Sequence, residues 1–288
     1  MSAYSRVLDM ITDIGKRTVL NGPLPNLEGK VVVFSFWTYS DINCLEIVDL
    51  LNWLYENQLT RDLVVFAVHT PEFGFEKEPD NVRAALKRLS VKFPVILDPE
   101  YDTWAAFNNQ YWPSSYLLDR SADIVDEAVG GKDFHTLIEK ALILSGSTNM
   151  IPSIPFSAVW SQARKIYLGG LRGEIGNAQE HGSYKVPDSM DEGVVYLGGE
   201  WKRDQEYLES VASSSKLYLK FSGNELNVVA SGQRKVNIGC VMDDRETEMV
   251  VDLPDAYWLF QAKDKNRHSI ILTVPEGVRL YAFSCRQD

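Results

Sequence analysis

The chain has 288 residues, of which 45% are hydrophobic and 11% aromatic, which is enough for two ordinary domains with packed cores. Its 29 basic and 40 acidic residues give a formal net charge of -11 without a basic stripe, so nucleic acid is disfavoured as a partner. No apolar run approaches the roughly 20 residues that a membrane-spanning helix needs, and we expect no membrane span.

The first half of the chain alternates between strand and helix patterns. Apolar runs predict strands, and apolar residues at helical spacing predict the helices between them. The predicted strands are 31–37, 62–70, 93–98, 114–119 and 122–129, and the predicted helices are 47–54, 79–90, 103–110 and 134–144. This order is typical of an α/β domain, with a mainly parallel sheet covered on both faces.

A segment rich in small, polar and proline residues, SGSTNMIPSIPFS at 145–157, separates two differently patterned halves. We therefore predict a first domain over 1–146, a linker over 147–157 and a second domain over 158–288. In the second domain, short apolar runs with a period of two recur about every ten residues, between turn-forming residues. That pattern is typical of an all-β sandwich or jelly roll.

The chemistry is expected where the first predicted strand ends and its helix begins, in VVVFSFWTYSDINCLE at 31–46. Asp41 and Cys44 have the spacing of a Cys-x-x-Cys dithiol, with aspartate in the first place. An aspartate there either caps the helix or serves as a charged group at a ligand site. Cys44 is predicted to be a partly buried thiol, and its reactivity is the second possibility.

Two further segments are expected beside this loop. Pro113, in YWPSSYLLD, precedes a strand and is either a simple strand-start proline or the site of a cis peptide bond. His69 and Glu72 follow the second parallel strand, so they would flank the same crevice. A hydrogen-bonded structural role for His69 is favoured over a role as a base.

Several segments together carry a family resemblance. They are FWTYSDINC, VHTPEFGFEKEPDNV, LDPEYDTWAAFNNQYWPSSYLLD, YLGG, GGEWKRDQEYLES and YAFSC. The chain resembles the thioredoxin-like C-terminal region of DipZ-type cytochrome c biogenesis proteins. The resemblance implies a thioredoxin-like α/β domain of the thiol-disulfide interchange type, followed by an all-β jelly-roll domain similar to carbohydrate-binding modules. It also implies that Cys44 is the resolving cysteine, that Asp41 replaces the nucleophilic one and that Pro113 is the cis-proline of the substrate groove.

The resemblance implies a thiol-disulfide oxidoreductase that cannot perform ordinary dithiol turnover and exchanges disulfides, if at all, through Cys44 alone. The alternative is a redox-silent interaction protein that binds extended peptide or glycan. The partners would be protein thiols, protein disulfides or extended peptides, with a glycan as a further ligand of the second domain. The predicted groove residues are Trp37, Tyr39, His69, Glu72, Trp112 and Pro113.

We expect no cofactor and no metal, because the four histidines are scattered and no Cys or His pair has zinc spacing. The segment MDDRETE could bind calcium through Asp243, Asp244 and Glu246, but a solvated acidic turn is the favoured interpretation. Cys240 and Cys285 are predicted to be buried free thiols. Three cysteines and the lack of a recognisable export signal favour a cytoplasmic location.

Aromatic residues at strand spacing in the second half allow two interpretations. They either form a platform on which a sugar stacks or fill the core of the β-sandwich, and the core is the favoured interpretation. These residues are Trp201, Tyr207, Tyr218, Tyr257 and Trp258.

Overall fold

The structure is a computed structural model that describes residues 18–57, 62–131, 133–147, 163–178, 182–263 and 266–286. The chain divides into two compact units, Met1–Trp160 and Ser161–Asp288, called here the α/β unit and the β unit. Nearly all of the predicted linker, 147–157, falls outside the described residues. The exact domain boundaries therefore stay a prediction.

The α/β unit contains one six-stranded sheet with helices between its strands. The strands are β1 (Val19–Leu20), β2 (Val31–Trp37), β3 (Leu63–His69), β4 (Val95–Leu97), β5 (Ser114–Leu118) and β6 (Ile124–Val129). The helices are α1 (Ile42–Glu56), α2 (Pro79–Arg88), α3 (Asp102–Ala106) and α4 (Phe134–Ser145), with a short 3-10 helix at Gly74–Lys77. The sheet order is β1-β4-β3-β2-β5-β6.

The prediction of a mainly parallel sheet is wrong. Only β2–β3 and β3–β4 pair in parallel, whereas β1–β4, β2–β5 and β5–β6 are antiparallel. A short turn joins β5 to β6, and such a connection can only produce an antiparallel pair. The sheet is therefore mixed, with its parallel part at the centre.

The central strands β2 and β3 are buried along their whole lengths, because side chains cover both faces of the sheet. On one face, Val31 and Val33 belong to the core that also contains the apolar sides of α1 and α4. On the other face, Phe34 stacks on Phe66 with ring centroids 5.3 Å apart. Because β2 and β3 are parallel and in register, the loops that follow them emerge at the same edge of the sheet.

The β unit consists of antiparallel strands in its described part, with no helix there. The strands are β7 (Arg164–Tyr167), β8 (Ser183–Tyr184), β9 (Val195–Arg203), β10 (Leu208–Ser210), β11 (Ser215–Ser222), β12 (Glu225–Ser231), β13 (Val236–Met242), β14 (Arg245–Val251), β15 (Asp255–Gln261), β16 (Arg267–Val274) and β17 (Arg279–Arg286). The main order is β14-β13-β16-β11-β9-β10-β17-β12-β15, with β7 beside β17 and β8 beside β9. The prediction of a mostly-β second half is confirmed.

Alternation of buried and exposed side chains builds the core of the β unit. In β11, Leu217, Leu219 and Phe221 point into the core, whereas the residues between them are more exposed. Cys240 and Cys285 lie in the same core as free thiols, as predicted, and burial raises the pKa of each to about 11. In the described part of the chain, no helix is long and apolar enough to cross a bilayer.

Candidate functional site

Asp41 caps the helix that carries Cys44. Its backbone is extended, with φ -97° and ψ 116°, and its side chain accepts a hydrogen bond from the Asn43 amide at 2.9 Å. Only 2% of Asp41 is exposed. The capping interpretation of Asp41 is therefore confirmed, and a cap of this kind contributes about 0.5–2 kcal/mol to helix stability.

Cys44 lies in the first turn of α1 and is fully buried. Its Sγ accepts a hydrogen bond from the Thr38 amide at 3.4 Å, so the sulfur is directed back under the loop that precedes the helix. The residue is present as a thiol. The sulfur therefore lies in the core of the α/β unit and contacts the loop Thr38–Asp41, called here the cap loop.

Pro113 lies at the same end of the sheet as the cap loop. Ser114 pairs with Phe36 in the β2–β5 ladder, so Pro113 enters β5 beside the carboxyl end of β2. The Trp112–Pro113 peptide bond is cis. Trp112 donates its indole N–H to the Thr70 carbonyl at 3.0 Å, which links this segment to the end of β3.

His69 is a packed structural side chain. Its ring stacks on Tyr39 at 5.5 Å between centroids and meets Trp37 edge-on at 5.9 Å. Burial lowers the pKa of His69 to about 3, so the ring is neutral near neutral pH. The favoured structural role agrees with this packing, but its Nε2 atom makes no hydrogen bond with any described residue. A neutral, enclosed imidazole of this kind is unsuited to serve as a base.

The predicted groove residues meet at one edge of the sheet, but most of them are buried. Four of them are at most 6% exposed, namely Trp37, Tyr39, His69 and Glu72, and Trp112 is partly accessible. Tyr39 belongs to the cap loop itself, and the His69 ring packs against Tyr39 and Trp37. Whether they line a groove for substrate stays a prediction.

Glu76 is the functional candidate that sequence reasoning missed. It is 1% exposed and accepts hydrogen bonds from both sides of the site. One oxygen, Oε1, accepts from the Thr38 hydroxyl, from the Ser40 hydroxyl at 2.7 Å and from the Ser40 amide at 3.3 Å. The other oxygen, Oε2, accepts from the amides of Glu72 at 2.6 Å and Phe73 at 3.0 Å.

The pKa of Glu76 is raised from 4.5 to about 7. Burial is the largest cause, and the nearby charge of Glu72 raises the pKa further, whereas the hydrogen bonds from Thr38, Ser40 and Phe73 lower it. Glu76 could have been found from its position in the loop after β3, because ligands of α/β sheets bind at the carboxyl ends of strands. The same position led to the selection of Glu72.

In the acidic turn of the β unit, the carboxylate of Asp243 is bound within the chain. Asp243 Oδ1 accepts from the Ser269 amide at 2.8 Å, and Oδ2 lies against the imidazole Nδ1 of His268. Among the described residues, no group of three His, Cys, Asp or Glu side chains is arranged to hold a metal ion.

The aromatic residues of the β unit are dispersed. Trp201 is buried in the core and donates its indole N–H to the Gly198 carbonyl at 3.1 Å, in agreement with the core interpretation. Trp258 is 53% exposed, so the core interpretation is wrong for that residue. Tyr207 packs under the guanidinium of Arg279 at 4.7 Å.

Residues 164–284 match the family model described as a thioredoxin like C-terminal domain. Protein DipZ of Mycobacterium tuberculosis is 26% identical over 281 residues, which cover 91% of this chain and 39% of DipZ. The chain thus spans about two fifths of the length of that relative. The thiol-disulfide oxidoreductase YkuV of Bacillus subtilis is 25% identical over 129 residues, 43% of this chain and 84% of YkuV.

Among solved structures, a thiol-disulfide isomerase from Corynebacterium glutamicum aligns with a TM-score of 0.41 and 21% identity, over 46% of this chain and 93% of the isomerase. The predicted resemblance to DipZ-type proteins is confirmed by the sequence matches. They support a thioredoxin-like fold for the α/β unit, related to thiol-disulfide oxidoreductases.

Proposed function

Because the chain is a thioredoxin-like relative of thiol-disulfide oxidoreductases, we propose that it exchanges disulfides through the single thiol of Cys44. The observation that carries this proposal is the position of Asp41 as cap of α1, with Cys44 in the first turn behind it. In a dithiol enzyme, the residue at the helix N-terminus attacks the substrate disulfide as a thiolate. A carboxylate cannot form a mixed disulfide, so ordinary two-cysteine turnover is not expected.

Single-thiol exchange would proceed in two steps. The Cys44 thiolate attacks one sulfur of a partner disulfide, so a mixed disulfide forms while the other partner sulfur leaves as a thiolate. A small-molecule thiolate then attacks the partner sulfur of the mixed disulfide and releases Cys44 as a thiolate. The partner leaves bound to the small thiol, and sulfur, charge and electrons balance. Protein disulfides are the proposed substrates.

Access is the obstacle for this chemistry, because Cys44 is fully buried under the cap loop. The same observation favours a second candidate function, in which the protein is redox-silent and binds an extended peptide beside Pro113. In both cases Pro113, with its cis bond, would shape the binding groove together with Trp112. The reactivity of Cys44 separates the two candidates.

The experiment is incubation of the folded protein with glutathione disulfide, followed by peptide mass spectrometry. Single-thiol exchange predicts a glutathione adduct on Cys44 that added thiol removes, and no such adduct in Cys44→Ser. Cys240 and Cys285 are buried thiols in the other unit and serve as internal controls. If Cys44 is modified no faster than those two cysteines, the protein is redox-silent and the first candidate fails.

We further propose that the β unit is a jelly roll similar to carbohydrate-binding modules, with a glycan as its ligand. The antiparallel strand order and the exposed indole of Trp258 support this proposal. Binding to immobilised glycans should be lost in Trp258→Ala if that indole stacks on sugar.

The proposal also includes a cytoplasmic location, which cell fractionation tests.

A further inference from the structure

Glu76 links two loops that are distant in sequence. Its Oε1 atom holds Thr38 and Ser40 of the cap loop, and its Oε2 atom holds the amides of Glu72 and Phe73 in the loop after β3. All five donors converge on one carboxyl group that is 1% exposed. The carboxyl group of Glu76 therefore joins the two loops by hydrogen bonds, in addition to the ring contacts of Tyr39 with His69 and Phe75.

The cap loop also contacts the thiol, and its Tyr39 belongs to the same buried core as Cys44. The Thr38 hydroxyl donates to Glu76, while the amide of the same residue donates to Cys44 Sγ at 3.4 Å. Movement of Thr38 away from Glu76 would thus remove the hydrogen bond to the sulfur and uncover it. Glu76 does not touch Cys44 through any of these bonds, so its influence passes through the loop.

We propose that Glu76 is the positioning residue that controls access to Cys44, by closing the cap loop over the thiol and releasing it when the carboxyl group loses its proton. This inference deepens the proposed function and rests on Cys44 being the working group. The carboxyl proton can lie on Oε1, because a hydroxyl of Thr38 or Ser40 can turn from donor to acceptor. The amides at Oε2 cannot turn in this way.

The direction of the effect follows from linkage. Burial raises the pKa of Glu76 from 4.5 to about 7, so the closed arrangement holds the proton more tightly than an opened one, in which the carboxylate meets water. As the pH rises from 4.5 to about 7, ionisation of Glu76 therefore increasingly favours opening of the cap loop. Above about pH 7 a further rise in pH adds little.

Two titratable neighbours face Glu76 or the cap loop. Glu72 adds like charge from the loop after β3. His69 stacks on Tyr39 of the cap loop, and because burial lowers its pKa it opposes the Glu76 effect, but it does so equally in wild type and Glu76→Gln, so the ratio of their rates cancels it. Asp41 on the cap loop is directed to the helix amides. Lys77, which follows Glu76, lies over the Tyr101 ring at 6.0 Å. Within the described part of the chain, Glu76 forms no ion pair.

The test is the rate of Cys44 alkylation by iodoacetamide, read by peptide mass spectrometry, in the full chain and two variants. Glu76→Gln is neutral at every pH and keeps the shape of the protonated group. The ratio of the wild-type rate to the Glu76→Gln rate should rise at least about tenfold between about pH 5 and about pH 7, then level off. Glu76→Ala removes the anchor and should react faster than wild type at about pH 5.

If the role of Glu76 is purely structural, Cys44 should be alkylated faster in both variants than in wild type at every pH. That result, or a ratio of rates that does not change with pH, would overturn the proposal. Asp98→Asn is the matched control, because Asp98 is fully buried but accepts from Thr70, Thr103 and Trp104. The ratio of the Cys44 alkylation rate in Asp98→Asn to that in wild type should not change with pH.

If circular dichroism shows that Glu76→Ala is unfolded, Ser40→Ala serves instead. It removes one donor to the carboxylate, which should raise the pKa of Glu76 and move the upper end of the pH transition in alkylation rate to higher pH. An unmoved transition contradicts the proposal.

The alkylation of Cys44 does not depend on disulfide exchange. If Cys44 forms no glutathione adduct but the rate ratio depends on pH, only the proposed function fails. If Cys44 forms the adduct but the rate ratio is flat with pH, only the role of Glu76 fails.

Discussion

Asp41 and Glu76 are two buried carboxyl groups at opposite sides of the cap loop. Asp41 begins a helix of 15 residues, where the free amides of the first turn and the helix dipole suit a negative charge. Glu76 lies in a 3-10 helix of four residues, and its five donors do not outweigh its burial. The two sites differ in their setting: Asp41 accepts at the start of a long helix, whereas Glu76 accepts from two loops, where burial raises its pKa in spite of five donors.

The largest expected effect is the pH dependence of stability that Glu76 causes. Its pKa is raised on folding, so its stabilising contribution is present below pH 4.5 and is lost as pH rises through about 7. The pKa of Glu76 differs between the unfolded protein, at 4.5, and the folded protein, at about 7, and this difference corresponds to about 3 kcal/mol in the free energy of unfolding. Hydrogen exchange of the core amides of β2 and β3 measures this free energy.

Glu76→Gln should remove that pH dependence and be more stable than wild type at about pH 8. Asp98→Asn provides the control for a buried carboxyl group that accepts hydrogen bonds from Thr70, Thr103 and Trp104. His69, whose pKa is lowered by burial, contributes an opposite pH dependence to both proteins, so the relevant quantity is the difference in the free energy of unfolding between wild type and Glu76→Gln. The account is contradicted if that difference is the same at about pH 5 and about pH 8.

A smaller effect is expected from the helix cap. Asp41→Ala removes the acceptor for the Asn43 amide and should cost about 1 kcal/mol of unfolding free energy. Asp41→Asn retains a capping oxygen and should cost much less than the alanine variant. Equal losses in the two variants, again measured by hydrogen exchange, would mean that the cap itself contributes nothing.

The smallest effect belongs to an exposed carboxylate in the same unit. Asp80 pairs with Arg83 at 3.1 Å on the surface of α2, with 97% of the aspartate side chain exposed. Because solvent screens such a pair, Arg83→Ala should change the free energy of unfolding by about 0.5 kcal/mol or less. A loss as large as that of Asp41→Ala would show that burial is not what separates these carboxylates.

The sequence allowed those features to be predicted that depend on neighbouring residues. The apolar runs of β2 and β3 predicted buried strands, and the junction after Trp37 predicted a helix with Asp41 near its start. The antiparallel pairs β1–β4 and β2–β5 were not predicted, because they join distant segments, whereas the short turn between β5 and β6 already required an antiparallel pair. Glu76 was missed for the same reason: its partners Thr38 and Ser40 are 38 and 36 residues away in the chain.

The residue pattern and the resemblance both selected Pro113, which lies beside the carboxyl end of β2 in the structure. The resemblance gave no indication of Trp258, whose 53% exposure departs from the core role that strand spacing favoured. Alternation along a strand identifies two faces but does not say which side chains at an edge remain uncovered.

The proposal that Asp41 prevents dithiol turnover is tested most directly by Asp41→Cys. We expect the introduced thiol to form a disulfide with Cys44 and the variant to reduce a model protein disulfide faster than wild type, with added reductant. Asp41→Ser is the control that keeps a capping oxygen without a thiol, and it should show no gain. A folded Asp41→Cys variant that forms no disulfide with Cys44, or wild type that is equally active, would contradict the proposal.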